Sequence, residues 1–330
     1  MNKPIVTVVI PMFNNQDTIC ETLDSVVSQT LKNWEAICVD DGSTDKSVEV
    51  VERYISEHQG YDIKILCREC ENKGGSVCRN IGGKAAKGDY LIFLDADDLL
   101  ADSSLEKRVE VMKDEKLQFA VFPMAAFVNN DLSTATVYSR LYVREPLYFF
   151  ASGFGTWQVT SPIIRKAFFD CLKGFDESFP RLQDVEFHIR AIVESGGQYL
   201  VMKDAPADCF YRQGGSSEVK VEKLKRTIVG CGKLINLLEG YADQGVFENR
   251  NKFSLSLLSL FCHLSLYQDW IIEKEASYKR WNPVVESGLK KYIKGLAMMT
   301  ILAIDHIPGV KLRLLATRTA DKIVRTKLAK

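Results

Sequence analysis

A layered α/β fold with a mostly parallel central sheet, followed by a helical C-terminal extension, is what this sequence predicts, on three observations. From residue 4 to about 100, apolar strand-like runs alternate with segments of helical periodicity, the pattern of a sheet covered by helices. The run Tyr90-Leu91-Ile92-Phe93-Leu94 is apolar enough for a strand buried on both faces, as parallel sheets require, and it stops abruptly at Asp95, Asp97 and Asp98. Beyond about residue 218 the pattern is helical throughout.

In chain order, strands are predicted at 5–10, 35–40, 62–67 and 90–95, and helices near 17–29, 45–57 and 76–86. The first apolar run, Ile5 to Ile10, is too short for the apolar region of a signal peptide and is followed at once by Pro11 and Asn14-Asn15. Right-handed crossovers make such strands parallel and gather their carboxyl ends on one edge. That edge collects Pro11 to Asn14, Asp40-Asp41-Gly42-Ser43, the loop around Asn72 to Gly75, and Asp95 to Asp98. Ligands bind at this edge in open parallel sheets. Clustered carboxylates repel each other and lose hydration there, so a hard divalent cation, Mg2+ or Mn2+ bound to a diphosphate, suits them. A polar turn that caps a helix beginning near Asp102 explains the same acids.

Residues 117–215 mix short strands, aromatics and loops, with strand-like stretches at Phe119 to Phe122 and Thr136 to Val143. A helix is predicted near 183–195, where Val185, Ile189 and Ile192 recur at helical spacing after Asp184. Phe253 to Tyr267 is strongly apolar, but it is shorter than the ~20 residues of a membrane span and reads as a core helix. From residue 290 onward, Lys290, Lys291, Lys294, Lys311, Arg313, Arg318, Lys322, Arg325, Lys327 and Lys330 face only Asp305 and Asp321, with the apolar stretch Gly295 to Ile304 beside them. Basic amphipathic helices of this kind lie on anionic bilayers, and a solvated helical face produces the same pattern.

The composition bounds the function class. At 330 residues, 46% hydrophobic and 26% charged, the chain is an ordinary globular one, which sets disordered and fibrous classes aside. Lys and Arg balance Asp and Glu at 43 each, so net charge gives no hint of nucleic acid. The nine cysteines are odd in number, scattered, and often inside apolar patterns such as Ile37-Cys38-Val39, as buried free thiols in a reducing compartment would be. Cys67 and Cys70 form one C-x-x-C with no second ligand pair at metal spacing, which favours structural cysteines over zinc.

Four segments together carry a family resemblance: Val6-Thr7-Val8-Val9-Ile10-Pro11-Met12-Phe13-Asn14; Asp40-Asp41-Gly42-Ser43-Thr44-Asp45; Asn72-Lys73-Gly74 with Arg79-Asn80-Ile81-Gly82; and Phe93-Leu94-Asp95-Ala96-Asp97-Asp98. In this order and spacing the chain resembles the family 2 glycosyltransferases of GT-A fold, a Rossmann-like nucleotide-diphospho-sugar transferase architecture. Gly174-Phe175-Asp176-Glu177, leading to Gln183-Asp184 and Arg190, resembles that family's acceptor-side segment, so the likeness covers roughly residues 4–217. It implies a catalytic domain over 1–217 and a helical region over 218–330 that associates with acceptor or membrane.

The resemblance implies an inverting transfer of a hexosyl or N-acetylhexosaminyl group from a nucleotide-diphospho-sugar, a UDP-sugar foremost, to a hydroxyl. The acceptor would be a glycan or lipid-linked oligosaccharide of surface polysaccharide synthesis, at the cytoplasmic face of a membrane. Among donor-binding residues, Asp41 would accept a hydrogen bond from the uracil ring, Pro11 and Asn14 would shape the base pocket, and Arg79 would reach the phosphates, the alternative being a surface helix arginine. Asp95 would flank the donor ribose and Asp97 would ligate Mn2+ or Mg2+. Asp184 would be the general base, the alternative being a helix N-cap, and Gln183 stands where most relatives have Glu. Tyr211 to Ser217 resembles the loop that closes over the donor, with Arg212 pairing with the departing diphosphate, although the histidine many relatives place there is missing.

Competing classes fare worse. A sugar-nucleotide pyrophosphorylase needs a glycine-rich basic loop where this chain has Met12-Phe13-Asn14-Asn15-Gln16, and a dinucleotide oxidoreductase needs G-x-G-x-x-G at the same turn. A catalytically silent nucleotide- or glycan-binding protein of the same fold is the remaining alternative, and it would not need Asp97 and Asp184, both of which are present.

Overall fold

The computed structural model describes residues 3–67, 74–128, 130–214, 221–275, 277–281, 291 and 310–328. They fall into two compact units that alternate along the chain. The first comprises Met1–Leu141, Trp157–Glu177 and Glu194–Gly215; the second comprises Tyr142–Thr156, Ser178–Val193 and Ser216–Lys330.

The first unit opens with three strand–helix repeats: β1 (Val6–Met12), α1 (Ile19–Val27), β2 (Trp34–Asp40), α2 (Ser47–Glu57), β3 (Ile63–Cys67), α3 (Gly75–Ala85) and β4 (Tyr90–Phe93). These match the predicted spans to within a few residues. β4 stops at Phe93, two residues before the predicted end, because the chain turns there; one further ladder bond, Leu94 N–H to Val9 O at 3.0 Å, closes the strand. Then follow β5 (Leu99–Leu100), α4 (Ser104–Met112), β6 (Phe119–Val121), β7 (Met124–Val128) and β8 (Asp131–Val137). The stretch predicted from Thr136 is strand only as far as Val137. After the second unit's α5 (Pro146–Ala151) come β9 (Pro162–Arg165) and α6 (Lys166–Cys171). The second unit's α7 (Gln183–Glu194) precedes β10 (Tyr199–Val201) and β11 (Cys209–Gln213).

The main sheet runs β10-β6-β9-β4-β1-β2-β3, and β9 alone is antiparallel to its neighbours β4 and β6. All seven residues of β2 are buried, and Val6, Val8, Val9 and Ile10 of β1 are fully enclosed, so these strands have the two-sided burial of a parallel core. α3 packs close on this sheet through Gly82, where an added Cβ would lie 2.3 Å from Val9 Cγ1. Register fixes what emerges together: Pro11 lies beside Val39, Met12 beside Asp40, and Asp40 beside Cys67. A second sheet, β5-β11-β7-β8, begins immediately after the acidic turn.

The second unit is helical among its described residues, with α5, α7, α8 (Val221–Asp243), α9 (Arg250–Lys274) and α10 (Val310–Leu328). Asn249 caps α9 by accepting from the backbone N–H of Asn251 and Lys252, both at 3.1 Å. At 25 residues α9 is longer than its apolar run predicts; by length and composition Arg250–Ile272 could cross a membrane, yet 67% of its most apolar window is buried within the protein. It serves as the core helix of this unit. Ser256 Oγ donates to Tyr148 O at 2.6 Å, and Ser259 Oγ donates to Asp321 Oδ1 at 2.7 Å. Of the cationic tail, 282–290 and 292–309, including Lys290, Lys294 and Gly295 to Ile304, lie outside the described residues.

Candidate active site

The acids after β4 form a tight turn between the two sheets. Asp98 N–H donates to Asp95 O at 3.0 Å, and β5 starts one residue later. Asp95 remains 40% exposed and receives Arg79 Nη2 at 2.6 Å. Burial pushes the Asp97 carboxyl above the usual range and the neighbouring charge of Asp95 adds to this, partly offset by Arg212. Asp98 is 2% exposed; burial, then the charges of Asp95 and Asp97, push it up to about 9, although Arg212 N–H donates to its Oδ1 at 3.1 Å. The turn therefore disfavours ionised carboxylates unless a positive charge joins them, which is the electrostatic condition for binding a cation.

Arg79 sits on α3 and is only 6% exposed, so it is not a surface helix arginine. Its guanidinium lies 5.6 Å from the Phe175 ring centroid and beside Gly75, where a Cβ would approach Nη1 to 2.9 Å; its Nε has no hydrogen-bond partner among the described residues. Gly74, at φ +96°, turns the chain into α3, and its N–H donates to Asp41 Oδ2 at 2.7 Å. Asp41 is thus buried at the mouth of β2, with one oxygen fixing the start of the Arg79 helix. Asp40 caps its own turn, accepting from Gly42 N–H at 3.0 Å and Ser43 N–H at 3.1 Å. Asn14, at φ +56°, ties the first loop to the second: its N–H donates to Ser43 Oγ at 2.9 Å and its Oδ1 accepts Thr44 N–H at 2.8 Å. Pro11, Asn14, Asp41, Arg79, Asp95 and Asp97 are all brought to the carboxyl edge of this unit's sheet. Asn72 and Lys73 lie outside the described residues, as does Cys70.

Arg212 belongs to β11 rather than to a loop, paired in register with Phe127 of β7. Its Nε donates to Asp97 O at 2.9 Å, Nη2 to Glu21 Oε2 at 2.6 Å and Nη1 to Asn130 Oδ1, while its plane lies 4.9 Å from the Phe127 ring centroid. The guanidinium is thereby committed to holding the acidic turn against α1 and the β7–β8 hairpin. Sequence reasoning missed Glu21 and Asn130 because nothing in their local pattern signals a partner so far along the chain. Gly215 to Ser217 lie outside the described residues.

Asp184, in the second unit, occupies the first turn of α7, which already starts at Gln183. It is therefore inside the helix rather than at its N-cap, half-buried, with no hydrogen bond or ion pair among the described residues, and an acid at this position is favoured by the helix dipole. Two residues on, the buried Glu186 is paired with Arg190, whose Nη2 is 2.9 Å from Oε2.

Among the described residues no three His, Cys, Asp or Glu side chains converge as a ready-made metal cage. That is compatible with Mg2+ or Mn2+ chemistry, since such ions are commonly held by one or two carboxylates plus substrate phosphates and water. Of the turn's carboxyls, the half-buried Asp97 could serve as such a ligand, whereas Asp98, 2% exposed, is enclosed and accepts Arg212 N–H.

Residues 7–169 match the family model described as "Glycosyl transferase family 2". The chain is 35% identical over 117 residues, 35% of its length and 44% of the relative's, to a "UDP-Glc:alpha-D-GlcNAc-diphosphoundecaprenol beta-1,3-glucosyltransferase WfaP" from Escherichia coli. It spans about half the length, or less, of the curated relatives it matches. Among solved structures it resembles S. aureus TarS residues 1–349 in complex with UDP-GlcNAc, at TM-score 0.59 and 17% identity, covering 98% of this chain and 92% of that one. It also resembles the mannosyltransferase PcManGT from Pyrobaculum calidifontis in complex with GDP-Man and Mn2+, at TM-score 0.56 and 15% identity, covering 97% and 88%. Identities this low speak to the fold, which is the GT-A fold.

Proposed function

Because the chain belongs to glycosyl transferase family 2, we propose that it is an inverting enzyme that moves a hexosyl or N-acetylhexosaminyl group from a UDP-sugar to a hydroxyl of a glycan or lipid-linked acceptor in surface polysaccharide synthesis. The observation that carries this reading is the acidic turn Asp95–Asp98 at the sheet edge, where Asp95 pairs with Arg79. The UDP-GlcNAc complex of TarS and the UDP-glucose named for WfaP support a uridine donor. The diphosphoundecaprenol in the name of WfaP supports a lipid-linked acceptor, and the reading places the enzyme at the inner face of the cytoplasmic membrane. Residues 1–217 are the catalytic part in this reading, and 218–330 associate with acceptor or membrane.

Asp41 accepts a hydrogen bond from the uracil ring, with Pro11 and Asn14 shaping the pocket by holding the first loop against the second. Asp95, oriented by Arg79, faces the ribose, and Arg79 presents the remaining face of its guanidinium to the phosphates. Arg212 acts on the donor through the turn, by fixing the carbonyl of Asp97. A divalent cation on Asp97, Mn2+ or Mg2+, would neutralise the charge that develops on the leaving diphosphate. Asp184 removes the acceptor hydroxyl proton; the oxygen attacks the anomeric carbon opposite the leaving group, and the C–O bond to phosphate breaks with its electron pair leaving on the nucleotide.

The test is thermal stability against UDP, GDP, dTDP and CDP, each with and without Mn2+, for the wild type and Asp97→Ala. At a hundredfold excess over its dissociation constant, a nucleotide raises stability by about 2.7 kcal/mol. The expected result is a Mn2+-dependent shift with UDP that Asp97→Ala abolishes; no shift with any nucleotide would overturn the enzyme reading. Asp184→Asn should keep the UDP shift while transfer falls roughly 10²–10⁴-fold. Equal transfer by that variant would remove Asp184 from the mechanism.

A further inference from the structure

We propose that the outer face of α10 is a docking surface for an anionic lipid bilayer. Of the described side chains in this helix, Asp321, Val324 and Leu328 are each 4% exposed and face inward. Asp321, the one acid of α10, is used up there: it accepts Ser259 Oγ at 2.7 Å, lies 3.4 Å from His263 Nε2 and pairs with Arg325 Nη2 at 2.6 Å. Its charge is withdrawn from the surface. Arg318, Thr319, Lys322, Ile323, Thr326 and Lys327 are exposed or largely so, and their i, i+1, i+4, i+5, i+8, i+9 spacing puts them on one face. Ile323, 53% exposed, follows Lys322 on this face.

A single phosphate site would need converging donors, whereas these cations are strung along about 14 Å of helix, the arrangement that suits a plane of anionic headgroups. A half-exposed isoleucine between lysines is the apolar contact that such a plane accepts and a polyanion in water does not. The location rests on the lipid-linked acceptor reading only for its purpose; the surface itself follows from the burial of Asp321.

The full chain is floated with vesicles of phosphatidylglycerol and phosphatidylcholine and with pure phosphatidylcholine vesicles, at low and physiological salt, beside Lys322→Glu/Lys327→Glu, Ile323→Ser and the first-unit control Lys116→Glu. The wild type and the control should float with anionic vesicles and not with neutral ones; the double variant should lose tenfold or more of the bound fraction. Ile323→Ser, which leaves the charge unchanged, should lose several-fold, while its retention on heparin stays close to wild type. Equal flotation on neutral vesicles, unchanged flotation of the double variant, or an Ile323→Ser variant with full vesicle binding would overturn the proposal. The UDP shift, measured in parallel, reports folding of each variant and tests the enzyme reading separately.

Discussion

Asp98 holds the most displaced carboxyl at the sheet edge, and its direction sets a sign. An unfolded aspartate ionises near pH 4, whereas in the fold this one keeps its proton up to about 9. Between those values the folded state binds more protons than the unfolded state, so this group makes stability fall as pH rises. Asp98→Asn retains an oxygen for Arg212 N–H and removes the charge; without divalent cations it should equal or exceed the wild type in stability at pH 8, with a flatter profile between pH 5 and 8. A variant that is less stable at pH 8 would mean that the carboxylate is better solvated than its 2% exposure implies.

Glu35 is the opposite case. Burial pushes it up, but Lys64 at 2.9 Å, Thr7 at 2.7 Å and the N–H of Lys87 at 2.6 Å outweigh that and hold it below the usual range. Its contribution is therefore complete above about pH 4.3, the ordinary glutamate value, and is lost as pH falls through the lower folded value. Acid titration of Glu35→Gln should show a shallower loss of stability below pH 4.3 than the wild type.

At the level of elements, α3 links packing to the site, since the helix that carries Arg79 is seated by Gly82 against Val9. Gly82→Ala forces a methyl into a 2.3 Å contact and should cost about 1–3 kcal/mol in denaturant unfolding while weakening UDP binding, because Arg79 moves with the helix. A neutral change would show that β1 yields instead. The strands and helices up to Phe93 were legible because each is an apolar run or a helical stripe in one short window. Arg79 and Arg212 were legible as residues but not as partners: the first is buried against Asp95, and the second joins Asp97, Glu21 and Asn130 across pairings that no local periodicity encodes. The break of β8 at Val137 was equally unreadable, because exposed strand and extended loop share the same residue types there.

For the whole molecule, the alternation of the two compact units has a measurable result. α5 belongs to the second unit, and its Tyr148 is held by Ser256 and Asn249 of the α9 region, far beyond residue 217. A chain cut after 217 leaves Tyr148, Phe149 and Phe150 without that partner. It should bind a hydrophobic dye and lose a sharp unfolding transition, and a cooperative, dye-silent fragment would show that α5 finds its cover elsewhere.

The antiparallel strand β9 carries a last implication, for synthesis of the chain. β4 needs β9 on one side, yet residues 162–165 leave the ribosome long after 90–93, with β5 to β8 made in between. Until then the nascent chain presents an unpaired apolar edge, the feature that most invites pairing with a neighbour on the same messenger. Slow translation between these segments should therefore lower the soluble yield of this protein, while a pause placed after Arg165 should not.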